Sequence, residues 1–218
     1  MSEQKPKITG DVVRDDFNAI NTVLHYTRAA HFIGLWKSEL KLIEEYFPDR
    51  SAALLEAGCG AGRVAVGLWH QGYRNITAFD FAQELIEQAE NLAQEQGIAG
   101  ITFLRADATA VGAVAANGPE RKTKAEASAK TLEGKHPYLP QLPPTTEIPV
   151  RTEGPRLRKS SFDGALFMFN GLMQIPGREN RRTALQGLHA LCRPGAHFIF
   201  TTHDREDPKD AREWTKEA

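Results

Sequence analysis

The chain has 218 residues, 41% of them apolar, a length and composition that suit one α/β domain with a single sizeable core. Its 27 basic and 28 acidic residues leave a formal charge of −1. No general field draws nucleic-acid phosphates, so no nucleic-acid partner is expected. Two cysteines, Cys59 and Cys192, cannot make a disulfide framework. No apolar stretch approaches the roughly 20 residues of a membrane span, and the polar start of the chain lacks the apolar region of a signal peptide. The expectation is a soluble, cytoplasmic protein without a membrane partner.

In chain order, residues 15–47 read as helix. Ile20, Val23, Leu24 and Thr27 share one face, and Ile33, Trp36, Leu40, Ile43 and Phe47 continue at spacings of three and four until Pro48. Residues 1–50 form a helical cap in this reading, and 51–218 the core domain. Ser51–Glu56 is an apolar run ending in an acid, then glycines, and is expected to be the first strand, with a short helix over 61–71. Asn75–Asp80 repeats the design. Ala82, Leu85, Ile86, Ala89, Leu92 and Ala93 then form the buried stripe of a second helix, and Ile101–Arg105 is a third strand with Asp107 just beyond it. Strand and helix alternating at this spacing imply a parallel sheet.

Residues 111–160 break the pattern. They hold seven of the chain's 12 prolines and little apolar material, and are expected to be a disordered or lid-like insertion. Phe162–Asn170 reads as a buried fourth strand. A helix from about Arg178 carries Ala184, Leu185, Leu188 and Leu191 on its apolar face. Arg193-Pro-Gly195 reads as a turn, and His197–Thr202 as a fifth strand. Residues 204–218 are too charged for a buried hairpin, so a five-stranded sheet is expected, with the fifth strand on an edge open to self-association.

In an open parallel sheet, ligands bind beyond the carboxyl ends of the strands. Glu56-Ala-Gly58-Cys-Gly60-Ala-Gly62 falls at such an end, as do Asp80, Asp107 and Asn170. The glycines let a ligand approach the backbone. The loop lacks the Gly-Lys-Ser/Thr ending of a phosphate loop but satisfies the loose G-x-G-x-x-A dinucleotide pattern. Asp80, 18 residues after Gly62, can accept from both hydroxyls of a ribose or cap the following helix. Phe81 beside it can lie on a base or face the core. Arg63 reads as a structural residue on its helix surface, and Cys59 as a small buried side chain. No histidine or cysteine spacing suggests a metal, and no G-x-S-x-G elbow is present.

The order of these motifs resembles the class I S-adenosylmethionine-dependent methyltransferases. Glu56–Gly62 matches their E/D-x-G-x-G-x-G motif, Asp80 their ribose-binding acid, and Asp107 with Ala108 the adenine end. Phe162–Asn170 resembles their fourth-strand motif, and Leu188–Gly195 their entry to the fifth strand. The resemblance covers about residues 51–110 and 161–203. It implies a Rossmann-like, mostly parallel α/β sheet flanked by helices and possibly lacking the family's last two strands. It also implies S-adenosylmethionine as cofactor, held by Glu56, Gly58, Gly60, Gly62, Asp80, Phe81, Asp107, Ala108 and Asn170, and methyl transfer to a small-molecule acceptor. Asn170 followed by Gly-Leu-Met rather than Pro-Pro-Tyr argues against the DNA- and glutamine-amino-methylating branches. Tyr26 and Trp36 are candidates to close the pocket, against ordinary helix packing. An NAD-dependent oxidoreductase would share the loop and Asp80, and an inactive cofactor-binding or interaction module is the other alternative.

Overall fold

A computed structural model describes residues 9–112 and 157–202. Most of the 111–160 insertion and the tail from 203 lie outside these residues. The core is a five-stranded sheet in the order β3-β2-β1-β4-β5, every pairing parallel. The strands are β1 (Ala53–Ala57), β2 (Asn75–Asp80), β3 (Ile101–Arg105), β4 (Phe162–Phe167) and β5 (Cys192–Phe200). Burial follows the pleat. Leu54 and Leu55, both fully buried in β1, point to opposite faces and join different clusters. A parallel sheet covered on both sides needs such continuous apolar strands.

On one face, Leu54, Ile76 and Leu166 pack under α3 (Lys37–Tyr46), α4 (Arg63–His70) and α5 (Gln83–Glu95) through Ile43, Val64, Leu68 and Ile86. On the other, Leu55, Phe79 and Phe167 pack under α6 (Gly171–Gln174) and α7 (Arg178–Leu191) through Leu172, Ala184, Leu188 and Leu191. Phe47, following α3, lies so close over β4 that a Cβ at Gly164 would stand 2.0 Å from its ring. The stripe expected on the second helix is buried throughout. On α7 the expected face loses Leu185, which is exposed.

The expected 15–47 helix is three helices: α1 (Gly10–Asn18), α2 (Ile20–Phe32) and α3. Thr9 caps α1 through the Val12 amide. Extended Ala19 separates α1 from α2, and Gly34, at φ 60°, turns the chain before α3. The breaks undo the continuous face. Val23 and Ile43 are buried, but Ile20, Leu24, Ile33 and Trp36 are exposed, and Thr27 satisfies its hydroxyl on the Val23 carbonyl.

Two sheet boundaries also differ from the sequence reading. β4 stops at Phe167, because Phe169 and Asn170 adopt left-handed backbone at φ 55° and 61°. Arg193-Pro-Gly195 is not a turn before β5 but an irregularity inside it. Phe162 faces Cys192, Gly164 faces His197, and the extra residues bulge between them. Among the described residues no helix is long and apolar enough to cross a membrane.

Candidate functional site

The reversal of strand order between β1 and β4 opens a cleft at the carboxyl ends of the strands. Its floor is Glu56 and the loop from Gly58 to Ala61. One wall is Asp80, Phe81 and Ala106–Thr109. The far side is Phe167–Phe169 with Gly171, Gln174, Ile175, Pro176 and Asn180, and Val13, Phe17, Tyr26 and Ala29 of α1 and α2 lean over it.

The glycines divide the work. Gly58, at φ 61°, carries the chain out of β1 where a Cβ would stand 2.4 Å from the Phe167 ring. Gly60 has open space toward the cleft, with only Tyr26 nearby at 3.6 Å. Gly62 does not line the cleft. It begins α4, and a Cβ there would meet Ala89 of α5 at 2.9 Å, so it serves helix packing. Asn170 is also outside the lining; its amide donates to the Thr201 hydroxyl at 2.9 Å. The neighbouring Phe169 faces the cleft in its place.

Asp80 is buried at the end of β2. Its Oδ2 accepts from the Gly60 amide at 2.9 Å and its Oδ1 from the Ala82 amide at 3.0 Å. The second bond is a turn two residues long rather than an N-cap, since Ala82 itself caps α5. Asp80 thereby braces the glycine loop against β2 and also lines the cleft. Burial raises its pKa above the usual carboxylate value, against the pull of these amides. Asp107 accepts from the Thr109 amide and hydroxyl at 2.8 and 2.7 Å, which fixes the turn beyond β3. Ala108 beside it is buried among Phe79 and Val111.

Glu56 is the group least satisfied by the protein. It is fully enclosed, its Oε2 has no hydrogen-bond partner, and burial pushes its carboxyl up to about 8. A buried carboxyl oxygen without a donor is costly in a closed interior. At the floor of a cleft, it marks where a ligand's donor belongs. Cys59 is buried, with its thiol raised well above the ordinary value by burial, and is no nucleophile.

Aromatic rings run along the cleft in a connected series. Phe81 meets Phe17 edge-on, Phe17 meets Tyr26, Tyr26 meets Phe169 and Phe169 meets Trp36, with centroids 5.5–5.9 Å apart. Burial holds the Tyr26 phenol above its usual range, so it is a neutral donor. Trp36 is outside the cleft lining, packed on Phe169 and Arg63. Arg63 has the structural role expected of it but is buried rather than on the helix surface. It grips Glu39 with two bonds of 2.7 Å and the Gly34 carbonyl at 2.6 Å, under the Phe169 ring. Sequence reasoning missed Phe17, Phe169 and Glu39. Glu39 left one trace: it stands three residues after Trp36 and accepts from its amide, the spacing of a capping box.

The geometry defines a Rossmann-like α/β domain with a cleft at its switch point. Residues 54–118 match the family described as "Methyltransferase domain". Three solved structures share the fold. The [4+2]-cyclase SpnF is 16% identical with a TM-score of 0.55, over 89% of this chain and 60% of its own. The 1,6-didemethyltoxoflavin N1-methyltransferase of Burkholderia thailandensis is 19% identical at 0.54, over 94% and 69%. The magnesium protoporphyrin IX methyltransferase of Synechocystis PCC 6803 is 16% identical at 0.51, over 95% and 84%. No curated protein matches the chain in sequence. The domain match covers under half of the chain, and the solved structures share its fold. The chain spans less than two thirds of the length of the cyclase.

Proposed function

We propose that the cleft binds S-adenosylmethionine and that the domain moves its methyl group to a small-molecule acceptor. The observation that carries this reading is the orphaned Glu56 oxygen beside the open face of Gly60, with Asp80 and Asp107 along one wall of the same cleft. The residues fit the cofactor group by group. Asp80 would accept from the ribose hydroxyls, and Asp107 and Ala108 would meet the adenine edge with Phe81 on its face. Glu56 and the Gly58–Gly60 loop would take the amino-acid tail, and Tyr26 would close over them. The cofactor supplies a sulfonium-bound methyl that leaves readily. The chain's own contribution is alignment and exclusion of water by Val13, Phe17, Phe169, Ile175 and Pro176.

A concave, largely apolar cleft suits a small molecule, and two of the similar structures are methyltransferases named for small-molecule substrates. Incubation with S-adenosylmethionine and a pool of candidate acceptors should accumulate S-adenosylhomocysteine. Because a cyclase shares the fold, function must be read from the site. Tight cofactor binding without turnover on any acceptor would favour a non-methylating module, and binding of NAD instead would favour an oxidoreductase.

Asp80→Asn should weaken S-adenosylhomocysteine binding by about 1.5–3 kcal/mol, the range for a hydrogen bond to a charged group. Asn keeps one oxygen for a backbone amide but turns its NH2 toward the other, so far-UV circular dichroism must show that the variant stays folded. Calorimetric titration decides it, and unchanged affinity removes Asp80 from the site.

We also propose that the chain self-associates through β5. Among the described residues this strand pairs with β4 alone, and its Phe198 and Phe200 rings stack at 5.6 Å with Phe200 exposed. Light scattering over a concentration series should show a dimer, and a persistent monomer would sink the idea.

A further inference from the structure

The side of the cleft facing the Asp80 wall is apolar and aromatic, lined by Val13, Phe17, Tyr26, Phe169, Ile175 and Pro176. Phe169 reaches it at a cost. In an unbroken β4 its side chain would follow Phe167 onto the sheet face under α6 and α7. Instead Phe169 and Asn170 take left-handed backbone at φ 55° and 61°, which bulky side chains rarely adopt and which persists only where the surroundings enforce it. Hydrogen bonds on both sides of the turn enforce it. The Gly171 amide donates to the Met168 carbonyl at 3.1 Å and the Met173 amide to the Asn170 carbonyl at 2.9 Å. The Asn170 amide donates to the Thr201 hydroxyl at 2.9 Å, and the Thr201 amide to the Phe167 carbonyl at 3.3 Å. Packing enforces it as well. The Arg63 guanidinium lies 4.9 Å over the Phe169 ring, and Tyr26 and Trp36 meet that ring edge-on at 5.9 and 5.7 Å. The cation thus covers one face of a ring that also borders the cleft.

The charges around the cleft are unbalanced. Among the described residues its lining carries the acidic side chains of Glu56, Asp80 and Asp107 and the basic one of Arg63. Arg63 is already committed, to Glu39 through both terminal nitrogens and to the Gly34 carbonyl. An anion placed on the aromatic side would lose its hydration and find acids there, with no uncommitted cation among the described residues to replace the water. A flat ring in the same place gains edge and offset contacts with Phe17, Tyr26 and Phe169 that a saturated ring of equal area does not. We propose that the methyl acceptor is a flat aromatic molecule without an anionic group, and that Phe169 is the residue that selects it. The inference rests on the cofactor reading above and deepens it, naming the chemistry of the acceptor and the side chain that recognises it.

The test uses the intact protein saturated with S-adenosylhomocysteine and a set of probes of similar size. 2-Naphthol has fused aromatic rings and a hydroxyl that is neutral at pH 7, naphthalene-2-sulfonate puts an anion on the same rings, and 2-decalol is the saturated counterpart. Calorimetric titration should show naphthol binding about tenfold more tightly than decalol and about a hundredfold more tightly than the sulfonate. Phe169→Leu keeps an apolar side chain without the ring and should lower the naphthol-to-decalol ratio about fivefold. Phe169→Tyr keeps the ring and should keep the ratio, which a role in packing alone would not give. The proposal is overturned if the wild-type protein binds no naphthol, or binds decalol or the sulfonate as tightly. It is also overturned if the ratio survives in Phe169→Leu, or falls as far in Phe169→Tyr. Far-UV circular dichroism checks folding, and the wild-type ratios still decide if Phe169→Leu does not fold. If S-adenosylhomocysteine itself does not bind, the cofactor reading falls and the proposal with it. If it binds and naphthol is not preferred, the proposal alone falls.

Discussion

Gly60→Val abolishes S-adenosylhomocysteine binding while the sheet still forms. Gly60 sits at φ 53°, where a side chain strains the backbone by about 1–3 kcal/mol and a β-branched one more than most. Its amide is one of the two donors that tie Asp80 to the loop. Relaxing the strain turns that amide away and leaves Asp80 half-satisfied. Relaxation is not the only obstacle. The direction a Cβ would take is the one open side of the loop, between the backbone and Tyr26, so the valine methyls fill the space a ligand needs. A loss of more than about a hundredfold, some 3 kcal/mol, is expected. Calorimetry measures it, with far-UV circular dichroism as the check that the strands persist. Near-normal affinity would mean that the loop is not the ligand cradle.

Arg63→Met destabilises the fold by about 3–5 kcal/mol, the cost of leaving one partner of a buried ion pair uncompensated. Arg63 and Glu39 are the bolt between the N-terminal helices and the core. The guanidinium meets the Glu39 carboxylate in a two-bond fork, takes the Gly34 carbonyl that ends α2's connection, and lies under Trp36 and Phe169. Removing it strands a carboxylate that is 2% exposed. The double variant Arg63→Met with Glu39→Leu should recover much of the loss, because no charge is then left buried. Urea unfolding of the two single variants and the double variant measures the coupling. Single-variant losses under about 1 kcal/mol would show that the pair is not what holds the cap.

Gly60 and Arg63 differ in how far their roles can be read from sequence. The role expected for Gly60 came from a motif confined to seven residues after a strand, and Gly60 lines the cleft with open space beside it. Gly62 belongs to the same motif, yet it faces α5 rather than the cleft, because the third glycine is placed by the start of α4 and not by a ligand. Asn170 was read as the end of β4, but the strand stops three residues earlier and the two left-handed residues bring Phe169 inward. A run of apolar letters does not record a change in the sign of φ.

By itself the sequence determined the strands β1, β2 and β3, the stripe of α5, the five-strand count among the described residues, and the set Glu56, Gly58, Gly60, Asp80 and Asp107 at the strand ends. All of these follow from local rules: period, burial on both faces of a parallel sheet, and polar residues at its carboxyl edge. Only the tertiary structure decided that the N-terminal segment is three helices, that Glu39 reaches Arg63 across 24 residues, that Phe17, Tyr26 and Phe169 meet over the cleft, and that Glu56 is left with a bare oxygen. The reason is physical. Whether a buried charge is paired depends on which distant element supplies its partner, and a local pattern records that a residue wants burial without recording what it will be buried against.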